Sequence, residues 1–384
     1  VRSLPLLFAL AGAAMAQSPV RQATFEDRPG YALANGKLEL TVLADGASMA
    51  GLVLRDDAAR MDPLWNPARL ARELGSKRAA TGGTGHFVCV DGFGPTSAEE
   101  RAAGLPGHGE AHRQRFQVTR SARDGRIAML SMSATLPMVQ ETFSRTFRMA
   151  DGESVVQVES RLENLMGFDR PVNWAEHGTI GSPFLASGRT VVDVSGVRSR
   201  TRPYEAAKSG QQDRRLKSGA DFAWPMAPGI DGKPVDLRLT PADPHYLDHA
   251  ATLVDPAQTY GWVTAINLEK RLIFGYLFRR EEYPWVQYWG NYPPTGKFSR
   301  GLEFSTQPFD VPRREVISLG RMFDQPVYRW LPAKGTIGSR FLVFYARTPE
   351  GMKKVDAVRL EGGRLVIEDR AAAKTLTLGA SLGL

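Results

Sequence analysis

The chain has 384 residues, a formal net charge of +8, 42% hydrophobic and 23% charged residues, and a single cysteine. That balance describes an ordinary globular protein long enough to bury a large core, and it excludes a disordered or low-complexity chain. The lone Cys89 excludes an intramolecular disulfide, so core burial has to supply the stability.

The chain opens with "VRSLPLLFALAGAAMAQSPV", in which Arg2 precedes an apolar stretch and Ala14-Met15-Ala16 precedes Gln17. This is the pattern of a secretory signal, with cleavage expected after Ala16 and a secreted or periplasmic destination. Residues 17–384 then form a single domain, because no linker rich in Pro, Gly or Ser divides them. No later apolar run is long enough for stable membrane insertion. The dominant sequence period is two: "KLELTVLADG" (37–46), "VVQVESRLEN" (155–164) and "RLIFGYLFRR" (271–280) mix alternation with short apolar runs and read as strands. Ala150-Asp151-Gly152 reads as a hairpin turn, and Cys89, inside "GHFVCVDGF", as a buried thiol. Convincing helices are few, the best being 67–80 and 96–104, the second capped by Thr96 or Ser97 with Glu99 or Glu100 reaching back. The basic stretch "RSRTRPYEAAKSGQQDRRLKSG" (198–219) reads as a solvated loop, and with no nucleic-acid motif present, no nucleic-acid partner is expected. The expected fold is mainly β, with large antiparallel twisted sheets stacked on one another.

Four segments carry groups suited to chemistry. In "NWAEHGTIGSPF" (173–184), Glu176 and His177 are adjacent near a strand end, so their side chains point to opposite faces. His177 is the candidate proton donor, and Glu176 is expected in solvent. In "GLPGHGEAHRQRF" (104–116), His108, Glu110 and His112 alternate, but Pro106, Gly107 and Gly109 favour a loop over a metal-holding strand. His108 there suits a hydrogen bond to a ligand hydroxyl. In "PADPHYLDHAATL" (241–253), His245, Asp248 and His249 lack a further ligand for zinc, and Asp248 suits a pair of sugar hydroxyls. No metal is expected. In "YPWVQYWGNYPPTGKFSRGLEFSTQPFDVP" (283–312), Trp285, Tyr288, Trp289 and Tyr292 either stack on sugar rings or pack in the core, with Gln287 and Asn291 as hydrogen-bonding partners. Glu303, in an apolar strand-like run, either meets a buried cation or acts as a base of raised pKa.

Taken in order, "LPGHGEAH", "RPVNWAEHGTIGSPF", "HYLDHAATL", "WVQYWGNYPP" and "GLEFSTQPFDVP" resemble motifs of the aldose 1-epimerase (galactose mutarotase-like) superfamily, over most of residues 34–347. The resemblance implies a β-supersandwich and an isomerase that interconverts sugar anomers without a cofactor. It implies Glu303 as general base, His177 as general acid, and His108, Asp248 and Gln287 as sugar-binding residues. The superfamily's sugar-gripping arginine has no counterpart in "TGGTGHFVCVDGFGP", which leaves His86 or Arg113 to take its place. The expected partner is a sugar or glycan, and the expected assembly a monomer or homodimer. Two other readings stay open: a non-catalytic glycan-binding protein on the same fold, and a glycan hydrolase or lyase using Glu303 with Asp248.

Overall fold

Strands dominate a computed structural model that describes residues 20–76, 83–204, 213–243 and 245–384. The expected signal segment, residues 1–16, lies outside the described residues. Eleven strands form one antiparallel sheet and eight form a second. In the larger sheet the strands His86–Val90, Trp174–Gly181, Ser299–Ser305, Trp285–Tyr292 and Tyr246–Leu253 are neighbours in that order. They come from distant parts of the chain, so the sheet gathers residues that the sequence separates.

The two sheets enclose the main core. The large sheet contributes Val88, Val90, Trp174, Leu302 and Phe304, and the smaller sheet contributes Phe143, Phe147, Tyr276 and Phe341. The smaller sheet is buried on its other face as well. Ile273, Leu277, Leu342 and Phe344 pack there against Val358, Leu365 and Ile367 of a three-stranded C-terminal sheet. This explains why "RLIFGYLFRR" reads as a nearly unbroken apolar run: a strand covered on both faces has no polar alternation to show.

The large sheet also has an outer face, turned away from the main core. One end is roofed by Phe309, Val316, Met322 and Val327, which cover Trp285. The hairpin at Ala150-Asp151-Gly152 joins the antiparallel strands Glu141–Ala150 and Val155–Asn164. Among the described residues, helices span Pro67–Glu73, Ala98–Ala102 and Arg313–Leu319, and in the second Ser97 and Glu100 complete a capping box; residues 77–80 of the first expected helix lie outside the described residues. The supposed loop at 198–219 is partly a strand. Arg198–Thr201 pairs with Tyr246–Leu253, and Arg198 and Arg200 are held by Asp221. Arg198 and Arg200 thus neutralise a local acid instead of standing free in water, and residues 205–212 of the stretch lie outside the described residues.

Candidate active site

Side chains alternate across each strand, and the pairing register fixes which residues share the outer face. His177 pairs with Phe87, Thr179 with Gly301, Gln287 with Glu303, and His249 with Trp289. Phe87, His177 and Glu303 therefore lie in one row of the outer face, and Thr179, Trp289 and His249 in the row beside it, the two rows together drawing on five strands. Loops complete a cleft of about 340 Å³, adding Trp65, Phe93, His108, His112, Arg113 and Asp310 to its walls.

At its centre His177 Nε2 lies 3.5 Å from Glu303 Oε1. Glu303 is only 2% exposed, and its Oε1 has no hydrogen-bond partner among the described residues. A buried carboxyl left in this state is costly, and such groups concentrate where chemistry is done. Burial and the neighbouring Asp310 charge push the Glu303 carboxyl well above its usual range. Gly301 makes the placement possible, because a Cβ there would collide with Glu303 Oε1.

His177 stacks on Phe87 with ring centres 4.3 Å apart, and Phe93, His108 and Trp289 meet it edge-on. This aromatic box removes water, so burial pushes the imidazole well below its ordinary value. Its Nδ1 lies 3.1 Å from Thr179 Oγ1, which sets the ring and turns Nε2 toward Glu303.

His108 enters from a loop with φ of +65°, a left-handed conformation uncommon for a residue bearing a Cβ. The Gly94 N–H donates to its Nδ1 at 3.3 Å, and burial lowers its pKa, so the ring proton sits on Nε2. His112 is likewise neutral, pushed down to about 4 by burial and by its neighbours His108 and Arg113. Asp310, from the segment after the Glu303 strand, stays ionised. Although burial opposes its charge, His249 (3.0 Å) and Arg202 (2.8 Å) hold its pKa low.

The residues expected from sequence divide by strand parity. Glu303, His177, His108 and Arg113 line the cleft. Gln287 lies just beneath it. Its amide donates to Ser305 Oγ and Gln307 O, which leaves its Oε1 facing His249 Nε2 at 3.0 Å. Asp248 does not reach the cleft: it points to the opposite face, where Arg215 donates to both of its oxygens through Nε and its own backbone N–H. His249, one residue on, takes the outer face instead. His86 is also on the core side, stacked on Phe341 and 2.7 Å from Glu176. Tyr288 packs in the main core, and Trp285, although on the outer face, lies under the roof at one end.

Glu176 is not in solvent. It is fully buried between the sheets and accepts from Arg145 (2.6 and 2.8 Å), Trp174 Nε1 (3.1 Å) and the Tyr283 hydroxyl (3.1 Å), with His86 Nε2 also in reach. Despite complete burial its carboxyl is held below its usual value, against desolvation, chiefly by Arg145 and then His86. The reason for the adjacent pair is now visible: one residue anchors the strand to the core and the next faces the cleft. Gly178 lets the sheets approach, since a Cβ there would collide with the Tyr276 hydroxyl.

Glu110, the middle member of the alternating trio, is buried and accepts from the backbone N–H groups of Met138 and Val139. Among the described residues, no group of three His, Cys, Asp or Glu side chains is placed to hold a metal ion. A larger groove, about 650 Å³, follows the seam with the C-terminal sheet. Lys354 pairs there with Asp356 and Arg359 with Glu361, and the buried Asp193 carboxylate accepts from the Val355 N–H at 2.8 Å.

No protein-family profile and no curated protein matches the sequence. Solved structures do. A candidate aldose 1-epimerase from Klebsiella pneumoniae superposes with a TM-score of 0.61 at 12% identity, covering 85% of this chain and 83% of that one. The fold is that of the galactose mutarotase-like proteins. A galactose mutarotase-like protein from Clostridium acetobutylicum gives a TM-score of 0.57 at 12% identity, over 86% of this chain and 99% of its own. A galactose mutarotase related enzyme from Lactobacillus acidophilus gives 0.54 at 12% identity, over 84% and 99%. At this identity the mutarotase-like fold is what the chain shares with them, and the cleft's own geometry has to carry the chemistry.

Proposed function

We propose that this chain is a carbohydrate-active isomerase that interconverts the anomers of a free sugar in the His177–Glu303 cleft. The observation that carries the reading is the buried Glu303 oxygen, without a hydrogen-bond partner among the described residues and facing His177 Nε2 at 3.5 Å inside a cleft sized for a sugar residue. Anomer exchange needs one group to take the proton from the anomeric hydroxyl while another protonates the ring oxygen. The ring opens, C1 turns about its bond to C2, and the same two groups reverse their transfers as the ring closes. Positioned proton transfer contributes about 10²–10⁴-fold per group.

The pair needs only one proton. In the empty cleft burial favours the neutral arrangement, protonated Glu303 beside unprotonated His177. Glu303 is then the donor to the ring oxygen and His177 the acceptor from the anomeric hydroxyl, the reverse of the roles implied by the sequence resemblance. Microscopic reversibility makes the closing step use them the other way round. His108 Nε2–H and the Asp310 carboxylate supply a donor and an acceptor for sugar hydroxyls, and Phe87, Phe93 and Trp289 supply apolar walls.

Two further proposals accompany this one: the chain is exported after cleavage at Ala16, and it acts as a single domain without a cofactor. Exchange NMR on a panel of free aldoses tests the activity. Enhanced α/β exchange supports it, whereas ligand line-broadening without exchange would favour a glycan-binding protein, and a change of mass in a glycan substrate would favour a hydrolase or lyase.

A further inference from the structure

Among the described residues, the cleft is lined by an arginine, Arg113, that no carboxylate neutralises. Arg113 ends the short helical turn Ala111–Arg113, is exposed, and lines the cleft. Its Nε donates to His112 Nε2 at 3.2 Å, a neutral ring, and no carboxylate among the described residues lies within ion-pairing distance of it. Its neighbour Arg115 is paired with Asp45, and the other arginine near the site, Arg202, is occupied by Asp310.

The remaining charges of the cleft do not offset it. The Asp310 carboxylate is shared between Arg202 and His249. His108, His112 and His177 are driven toward neutrality by burial, and so is Glu303. A guanidinium with free Nη groups presents a planar fork matched to a carboxylate or phosphate. His112 holds that fork by its Nε, so part of its freedom is already lost before a ligand arrives.

From this arrangement we propose that the substrate is an anionic sugar, one whose ring lies between His177 and Glu303 while its acidic substituent is bound by Arg113. The inference rests on the cleft being the site of anomer exchange, and it adds the substrate class. The cleft, near the lower end of the ~300–1,000 Å³ range of small-molecule sites, puts both functions within one monosaccharide. The shared chemistry is the anion. A uronate carboxylate and a sugar phosphate are its two sources.

The test is exchange NMR on matched sugars: D-glucuronate against D-glucose, D-galacturonate against D-galactose, and D-glucose 6-phosphate as the second anion. For the native protein the expected result is a kcat/KM at least tenfold higher for an anionic sugar than for its neutral counterpart. Whether the uronate or the phosphate leads identifies the source. Arg113→Gln should lower the anionic-to-neutral ratio about ten- to a hundredfold, the scale of one charge-assisted hydrogen-bonded contact, and Arg113→Lys should restore part of it. Raising ionic strength should weaken the preference in the native protein. Equal kcat/KM for neutral and anionic sugars, or equal losses on both in Arg113→Gln, overturns the inference while leaving anomer exchange intact. Absence of exchange with every sugar overturns the parent reading as well.

Discussion

Replacing Glu303 by Gln should raise the stability of the protein at neutral and alkaline pH while removing its activity. Glu303 is 2% exposed, has an oxygen without a hydrogen-bond partner among the described residues, and lies near the ionised Asp310. These conditions raise its folded pKa above the ordinary 4.5. The sign follows from linkage: the stability associated with protonated Glu303 is fully present below pH 4.5 and is lost as pH rises toward the folded pKa. Glutamine has the same shape and no proton to lose. The difference between the two proteins should therefore be small at pH 4 and grow by up to about 1.4 kcal/mol per pH unit above 4.5. At pH 7 that sets a ceiling of roughly 3 kcal/mol, or a few degrees in Tm for a chain of this length. Thermal unfolding of both proteins from pH 4 to 9 measures it. Parallel Tm profiles, or a variant less stable at pH 8 than the native protein, would refute the reasoning that Glu303 is an uncompensated buried acid.

Gly301→Ala should fold yet lose at least tenfold in kcat, because the added methyl occupies the place of Glu303 Oε1; circular dichroism with exchange kinetics checks both halves. Glu176→Gln should destabilise the protein by about 3–5 kcal/mol in denaturant unfolding, since it leaves Arg145 charged and buried without its partner. The pH dependence of kcat/KM should be bell-shaped and broad. Its acid limb should lie well below the usual histidine value of 6.5 as His177 gains a proton, and its alkaline limb well above the usual glutamate value of 4.5 as Glu303 loses one. Because the two groups share the cleft, these limbs belong to the pair.

Much of this architecture was legible in the sequence, and where the reading failed, it failed for a physical reason. Period-two runs, the Asp151-Gly152 turn and the Ser97 cap locate strands, hairpin and helix, because those signals are local. Glu303 and His177 stand out because an ionisable residue within an apolar strand has few inexpensive places to go. Strand parity decided the rest. Asp248 and His249 are adjacent, and only pairing with Trp285–Tyr292 shows that His249 takes the cleft face while Asp248 turns to Arg215. For Glu176, alternation predicts the face opposite His177, but whether that face meets water or a second sheet is a tertiary property. Arg145, 31 positions earlier in sequence, answers that question. Asp310, held by Arg202 and His249, belongs to no periodic element and gives no sequence signal beyond its place between Phe309 and Val311.

The central claim is that one shared proton on Glu303 and His177 opens and closes a sugar ring. The most direct measurement is the anomer-exchange rate of the best substrate with the native protein, Glu303→Gln and His177→Asn, each confirmed as folded by its amide NMR spectrum. The account predicts losses of about 10²–10⁴-fold in kcat for either variant, and a double variant little worse than the single ones, because the groups act as a unit. Folded variants that retain full exchange would contradict it.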